Sequence, residues 1–104
     1  MTEYSPPLRD MRFCLHEMGL TDRARALPGF EEIGAELADA ILEESGKFAA
    51  EVLAPLNRVG DTEGARLENG VVRAPTGFAE AYKSFVEGGW ASLPFSPEHG
   101  GQGL

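Results

Sequence analysis

The stretch 36-ELADAILEESGKFAAEVLAPL-56 decides the fold. Leu37, Ile41, Phe48 and Val52 fall on one stripe, and Ala38, Leu42, Ala49 and Leu53 widen it. Apolar residues recurring every three to four positions mark one face of an α-helix. A stripe this broad belongs to a helix packed on a core. Glu43 precedes Lys47 by four positions, the favourable order for a helical ion pair of about 0.3 kcal/mol. Pro55 predicts the helix end, because its ring clashes with the preceding turn. Residues 57–65 are polar and contain glycine, so a loop is expected there.

Upstream, Leu8, Met11, Leu15 and Met18 recur at helical spacing after Pro6-Pro7 and stop near Gly19. Proline is harmless in a first turn, where its missing N–H would have no partner. A helix this short is marginal in water and must dock on something. Residues 20–35 show no clear period; Pro28-Gly29 reads as a turn, and Gly34 weakens any helix through it. Downstream, Asn69-Gly70 between Arg66-Leu67-Glu68 and Val71-Val72-Arg73 predicts a hairpin with a type I′ turn. Pro75 opens a further helical pattern, with Phe78, Ala81, Tyr82, Phe85 and Val86 on one stripe and Gly88-Gly89 as its stop. Phe78, Tyr82 and Phe85 are expected in the core and Trp90 as a packing anchor. The expected fold is all-α, a small up-down helical domain with long loops and at most one short β-hairpin near 66–73.

The 104 residues suffice for one domain. A hydrophobic share of 42% argues against disorder along the whole length. Acidic residues number 17 against 9 basic, a net charge of −8, which repels phosphates. No basic stripe exists to displace counterions, so neither nucleic acid nor an anionic membrane surface is an expected partner. Cys14 is the one cysteine and has no disulfide partner within the chain. The start, Met-Thr-Glu-Tyr-Ser-Pro-Pro, lacks a secretory signal's basic and apolar regions. No run approaches the roughly 20 apolar residues that span a bilayer. A cytoplasmic protein is expected.

Few residues fall into patterns that carry chemistry. His16-Glu17 begins like a zinc-protease motif, but Leu20 stands where the second histidine belongs. With His16, His99 and one cysteine, a dedicated zinc site is not expected, and His16 is expected as a surface or helix-face histidine. Asp61-Thr62-Glu63-Gly64 has its glycine too early for a calcium loop and reads as a solvated acidic turn. Cys14 and His16 point to different faces of a helix, so no nucleophile–base pair forms. Ser84 and Ser92 lack evident partners. No residue is assigned to catalysis, to cofactor binding or to a metal, and substrate-binding residues stay unassigned. Gly100, Gly101, Gln102 and Gly103 are the candidate interdomain loop; the competing reading is a compact turn.

Gly89-Trp90, Pro97-Glu98 and Gly100-Gly101-Gln102-Gly103-Leu104 together resemble the N-terminal helical domain of the acyl-CoA dehydrogenases. That family carries a Gly-aromatic turn after a helix, then Pro-Glu and Gly-Gly-x-Gly with a hydrophobic residue. The segment Lys47 to Asn57 resembles the family's long second helix, with its Pro-Leu-Asn ending, and Asn69 to Pro75 the connection to its next helix. Tyr4 to Phe13 resembles the extra N-terminal segment of the subfamily that includes the 3-methylmercaptopropionyl-CoA dehydrogenases. The resemblance thus implies an extension with a short helix at 1–35 and a partial N-terminal helical domain at 36–104.

The resemblance further implies a parent enzyme that oxidises an acyl-CoA thioester between its α and β carbons. In that family the FAD sits mainly between a middle β-domain and a C-terminal helical bundle, and the bundle carries the catalytic glutamate. No counterpart of those parts is recognisable here. The expected function is an N-terminal fragment with a structural and acyl-pocket role, holding no cofactor and inactive alone. Its expected partners are the rest of the dehydrogenase chain and further copies of itself through exposed apolar helix faces. Two other readings are weighed: a free-standing helical protein-interaction module, and a small metal or cofactor binder.

Overall fold

The computed structural model describes residues 3–104. The decisive stretch is helical, but it does not stop at Pro55. Helix α3, Ala35–Phe48, starts after the extended Gly34. It runs through a π turn, Ala49–Leu53, directly into α4, Ala54–Glu63. The expected end at Pro55 and the expected loop over 57–65 are therefore corrected. In the π turn the Ala54 N–H bonds to the Ala49 carbonyl, five residues back. The wider turn carries away the carbonyl that the Pro55 ring would otherwise strike. Pro55 then stands in the first turn of α4, where no N–H is required. Asp61 to Glu63 form the last turn of this helix, which ends at Gly64 with φ 69°.

The N-terminal segment repeats the device. Helix α1, Leu8–Arg12, continues into a π turn, Phe13–Glu17, where the Met18 N–H bonds to the Phe13 carbonyl at 3.1 Å. Gly19 follows in the left-handed region at φ 78° and separates this segment from the next helix. Helix α2, Leu20–Arg25, occupies part of the region where the sequence shows no clear period. Strands β1, Arg66–Glu68, and β2, Val71–Arg73, pair antiparallel with Leu67 opposite Val72. Asn69 and Gly70 both have positive φ, as a type I′ turn requires. Helix α5, Phe78–Glu87, stops at Gly88-Gly89, and two 3-10 turns, Trp90–Ser92 and Pro97–His99, shape the tail.

These elements form one layer of helices with a small hairpin. The extents are 54 × 36 × 16 Å. The short dimension is little more than one helix diameter, about 10–12 Å with side chains. The radius of gyration is 17.4 Å, against about 13 Å for a closed domain of this length. The accessible surface is 7948 Å², whereas a closed monomer of this mass exposes about 5,700 Å². Among the described residues no large side chain is fully buried. Ala81 is buried; Phe78 and Tyr82, expected in the core, are 37% and 69% exposed. Their stripe meets α4 on one side and solvent on the other, because no second layer of the described residues lies over it. Phe48 and Phe85 do meet, with ring centroids 6.2 Å apart, and tie α3 to α5. Trp90 is half-buried. Among the described residues no helix is long and apolar enough to cross a membrane.

Candidate functional site

The glycine tail is knotted onto itself. Ser96 accepts a hydrogen bond from the Glu98 N–H and starts the Pro97–His99 turn. Gly100 follows in the left-handed region at φ 82°. The Gly100 N–H then bonds to the Pro97 carbonyl, Gly101 to Ser96, Gln102 to Ser92, Gly103 to Phe95 at 2.8 Å, and Leu104 to Leu93. A Cβ on Gly101 would overlap the Phe95 carbonyl, which is why glycine is needed there. The four candidate loop residues therefore come together as a compact turn. Binding a phosphate or pyrophosphate at such a loop requires backbone N–H groups free to point at it. Here every one of them is occupied by a carbonyl of the same tail. The loop therefore presents no free N–H group to an anion.

An apolar groove of about 770 Å³ lies between α4 and α5. Leu53, Leu56, Phe78, Ala81, Tyr82 and Phe85 line it, and Asn57 and Asp61 supply polar groups. The volume is within the range of small-ligand sites, roughly 300–1,000 Å³. Reading 57–65 as a loop hid this site, since α4 forms one wall. A second slot, about 690 Å³, lies where Tyr4 and Ser5 approach Ala49, Ala50, Pro55 and Asn57.

His16 is the residue whose surroundings the sequence conveyed least. It lies on a helix face, as expected, but is half-buried between three elements. Its Nε2 lies 2.8 Å from Asp39 Oδ1 on α3, and its Nδ1 3.2 Å from the Thr21 hydroxyl on α2. Nε2–H donates to Asp39, and the other ring nitrogen shares a hydrogen bond with the Thr21 hydroxyl. The His16 hydrogen bond, with the charges of His16 and Arg12 adding, holds the Asp39 carboxyl below its ordinary range, against some desolvation. Arg12 Nε stands 3.3 Å from the same Asp39 oxygen without hydrogen-bond alignment, and its terminal nitrogen donates to Glu43 at 2.8 Å. Glu43 therefore pairs with Arg12 instead of Lys47, and Lys47 pairs with Glu44 at 3.0 Å. The Thr–His–Asp order has the outline of a nucleophile with its base and orienting carboxylate. Thr21 is only 7% exposed, however, and neither groove includes it. The cluster joins elements. Cys14 is exposed, and no group of three metal-ligating side chains occurs among the described residues.

Along nearly its whole length the chain is similar in sequence to the N-terminal part of an acyl-CoA dehydrogenase. In particular, the chain is 48% identical over 101 residues to the 3-methylmercaptopropionyl-CoA dehydrogenase of Ruegeria pomeroyi. The match takes in 97% of this chain and spans 17% of that protein's length. No protein-family model matches the chain.

Proposed function

We propose that the chain is the N-terminal helical part of an FAD-dependent acyl-CoA dehydrogenase. The observation that carries this reading is the 48% identity maintained along nearly the whole chain. In the intact enzyme the reaction is α,β-dehydrogenation of an acyl-CoA thioester, and FAD, when bound, takes up the electrons. This part has a structural role and walls one side of the acyl pocket with the apolar α4–α5 groove. Its residues carry neither the catalytic base nor the flavin, and it is inactive alone. Residues 1–35 form an extension on the helical domain of 36–104, and the Gly100–Gly103 turn serves as an interdomain loop. The rest of the dehydrogenase chain is its partner, and the enzyme works in the cytoplasm. Separated from that partner, the layer associates with itself through its exposed apolar faces.

A chimera tests this. The matching segment of the Ruegeria pomeroyi dehydrogenase is replaced by this chain, and bound flavin and acyl-CoA oxidation are measured. Retention of both is expected. A folded chimera with the flavin lost would overturn the assignment. The chain by itself, mixed with FAD and desalted, is expected to retain no flavin absorbance.

A further inference from the structure

Residues 3–25 are tied to the long helix at three places. Tyr4 and Ser5 lie over Ala49, Ala50 and Pro55, at the slot beside the π turn. Pro6 and Leu8 seat against the buried Gly46, where an added Cβ would stand 3.0 Å from Pro6 Cγ and 3.5 Å from Leu8 Cδ1. Beyond them, Arg12 and His16 face Asp39 and Glu43 of α3, with contacts of 2.8, 2.8 and 3.3 Å. Each pair of residues is spaced by one helical turn, so the contacts form a two-rung ladder. No residue of α1 or of its π turn is buried. The arm is thus held by one small apolar notch, the partly exposed pairing of Arg12 with Glu43 and Asp39, and the hydrogen bonds of His16 to Asp39 and to the buried Thr21. Such pairs contribute little each and weaken with salt. Segments held this way open locally, at free energies well below that of global unfolding.

We propose that the N-terminal arm is a releasable strap. It docks on α3 through the Arg12 and His16 contacts and forms one wall of the slot at the π turn, the kind of helical irregularity that often marks functional sites. Its release removes that wall and uncovers Ala49, Ala50 and Pro55 while α4 and α5 stay folded. This rests on contacts within the chain and is independent of the dehydrogenase reading.

Hydrogen exchange read by mass spectrometry tests it on the whole chain. Raising NaCl from 20 mM to 500 mM is expected to speed exchange of the amides in 8–25 by about three- to tenfold, with α5 amides unchanged. The isosteric double variant Asp39→Asn/Glu43→Gln is expected to show the fast rate already at low salt and to lose the salt dependence. Exchange in 8–25 that ignores salt and substitution would overturn the proposal. So would acceleration in step with α5, since the arm would then open only with the whole layer. Should the double variant not fold, the salt titration of the unaltered chain decides alone.

Discussion

Replacing Pro55 by alanine tests the account of the long helix. A proline inside a regular helix costs about 3 kcal/mol relative to alanine. That cost has two sources, the lost N–H bond and the clash with the carbonyl four residues back. Here the Ala54 N–H already reaches Ala49 in the π turn, and Pro55 opens α4. Both sources should then be nearly absent from the folded state. Removing the ring also frees the unfolded chain, which destabilises by about 0.4–1 kcal/mol. The expected net change for Pro55→Ala is therefore within about 1 kcal/mol of zero, on the destabilising side. Urea unfolding followed by circular dichroism at 222 nm measures it; the extrapolation error of about 10–15% does not hide a 3 kcal/mol effect. A stabilisation near 3 kcal/mol would refute the reasoning, because the ring would then be straining an ordinary helix.

Gly101→Ala places a methyl group on the Phe95 carbonyl and should cost about 1–3 kcal/mol, with faster amide exchange confined to 93–104; unchanged exchange there would argue against the knotted tail. Glu63 accepts from the N–H and hydroxyl of Thr76, which hold its carboxyl below the ordinary range, with Arg66 adding. A depressed carboxylate stabilises the fold above its unfolded pKa and loses that contribution as pH falls through the folded one, so melting temperature should fall less steeply below about pH 4.5 in Glu63→Gln than in the parent. Tyr82 is 69% exposed, so Tyr82→Ser should change stability by less than about 0.5 kcal/mol while reducing self-association in light scattering.

The helices were legible where one face is apolar and the chain is locally consistent. The stripe through Leu37, Ile41 and Phe48 marks α3, and Asn69-Gly70 gives the hairpin and its turn. Pro55 misled because a local rule, that proline ends a helix, was overridden by a change in hydrogen-bond register one turn earlier. Nothing in Ala49–Leu53 announces a π turn, since these residues suit an α-helix equally well. The ladder of Arg12 and His16 on Asp39 and Glu43 was present as two pairs with i,i+4 spacing, but their meeting is a tertiary fact with no local sign. Of the aromatic stripe of α5, Phe85 packs on Phe48 while Phe78 and Tyr82 stay exposed, because periodicity shows which face seeks cover and not whether the cover is present.

That last distinction bears on function. A standard protein interface takes about 800 Å² from each partner. This layer exposes roughly 2,200 Å² more than a closed monomer of its mass, an excess on the scale of a permanent association. The α4–α5 groove lies on such an open surface, with Asp61 as the carboxylate among its lining residues. Asp61 has no second carboxylate, histidine or lysine beside it in the lining, so the groove holds no acid–base pair. What the groove supplies is shape and apolar surface, which bind and exclude water once a second layer closes over them. On the proposed reading the covering layer brings the acid–base and redox groups to this wall. Polar substitutions at Leu56 or Phe85 should then weaken acyl binding in the chimera and leave the chemical step of bound substrate less affected.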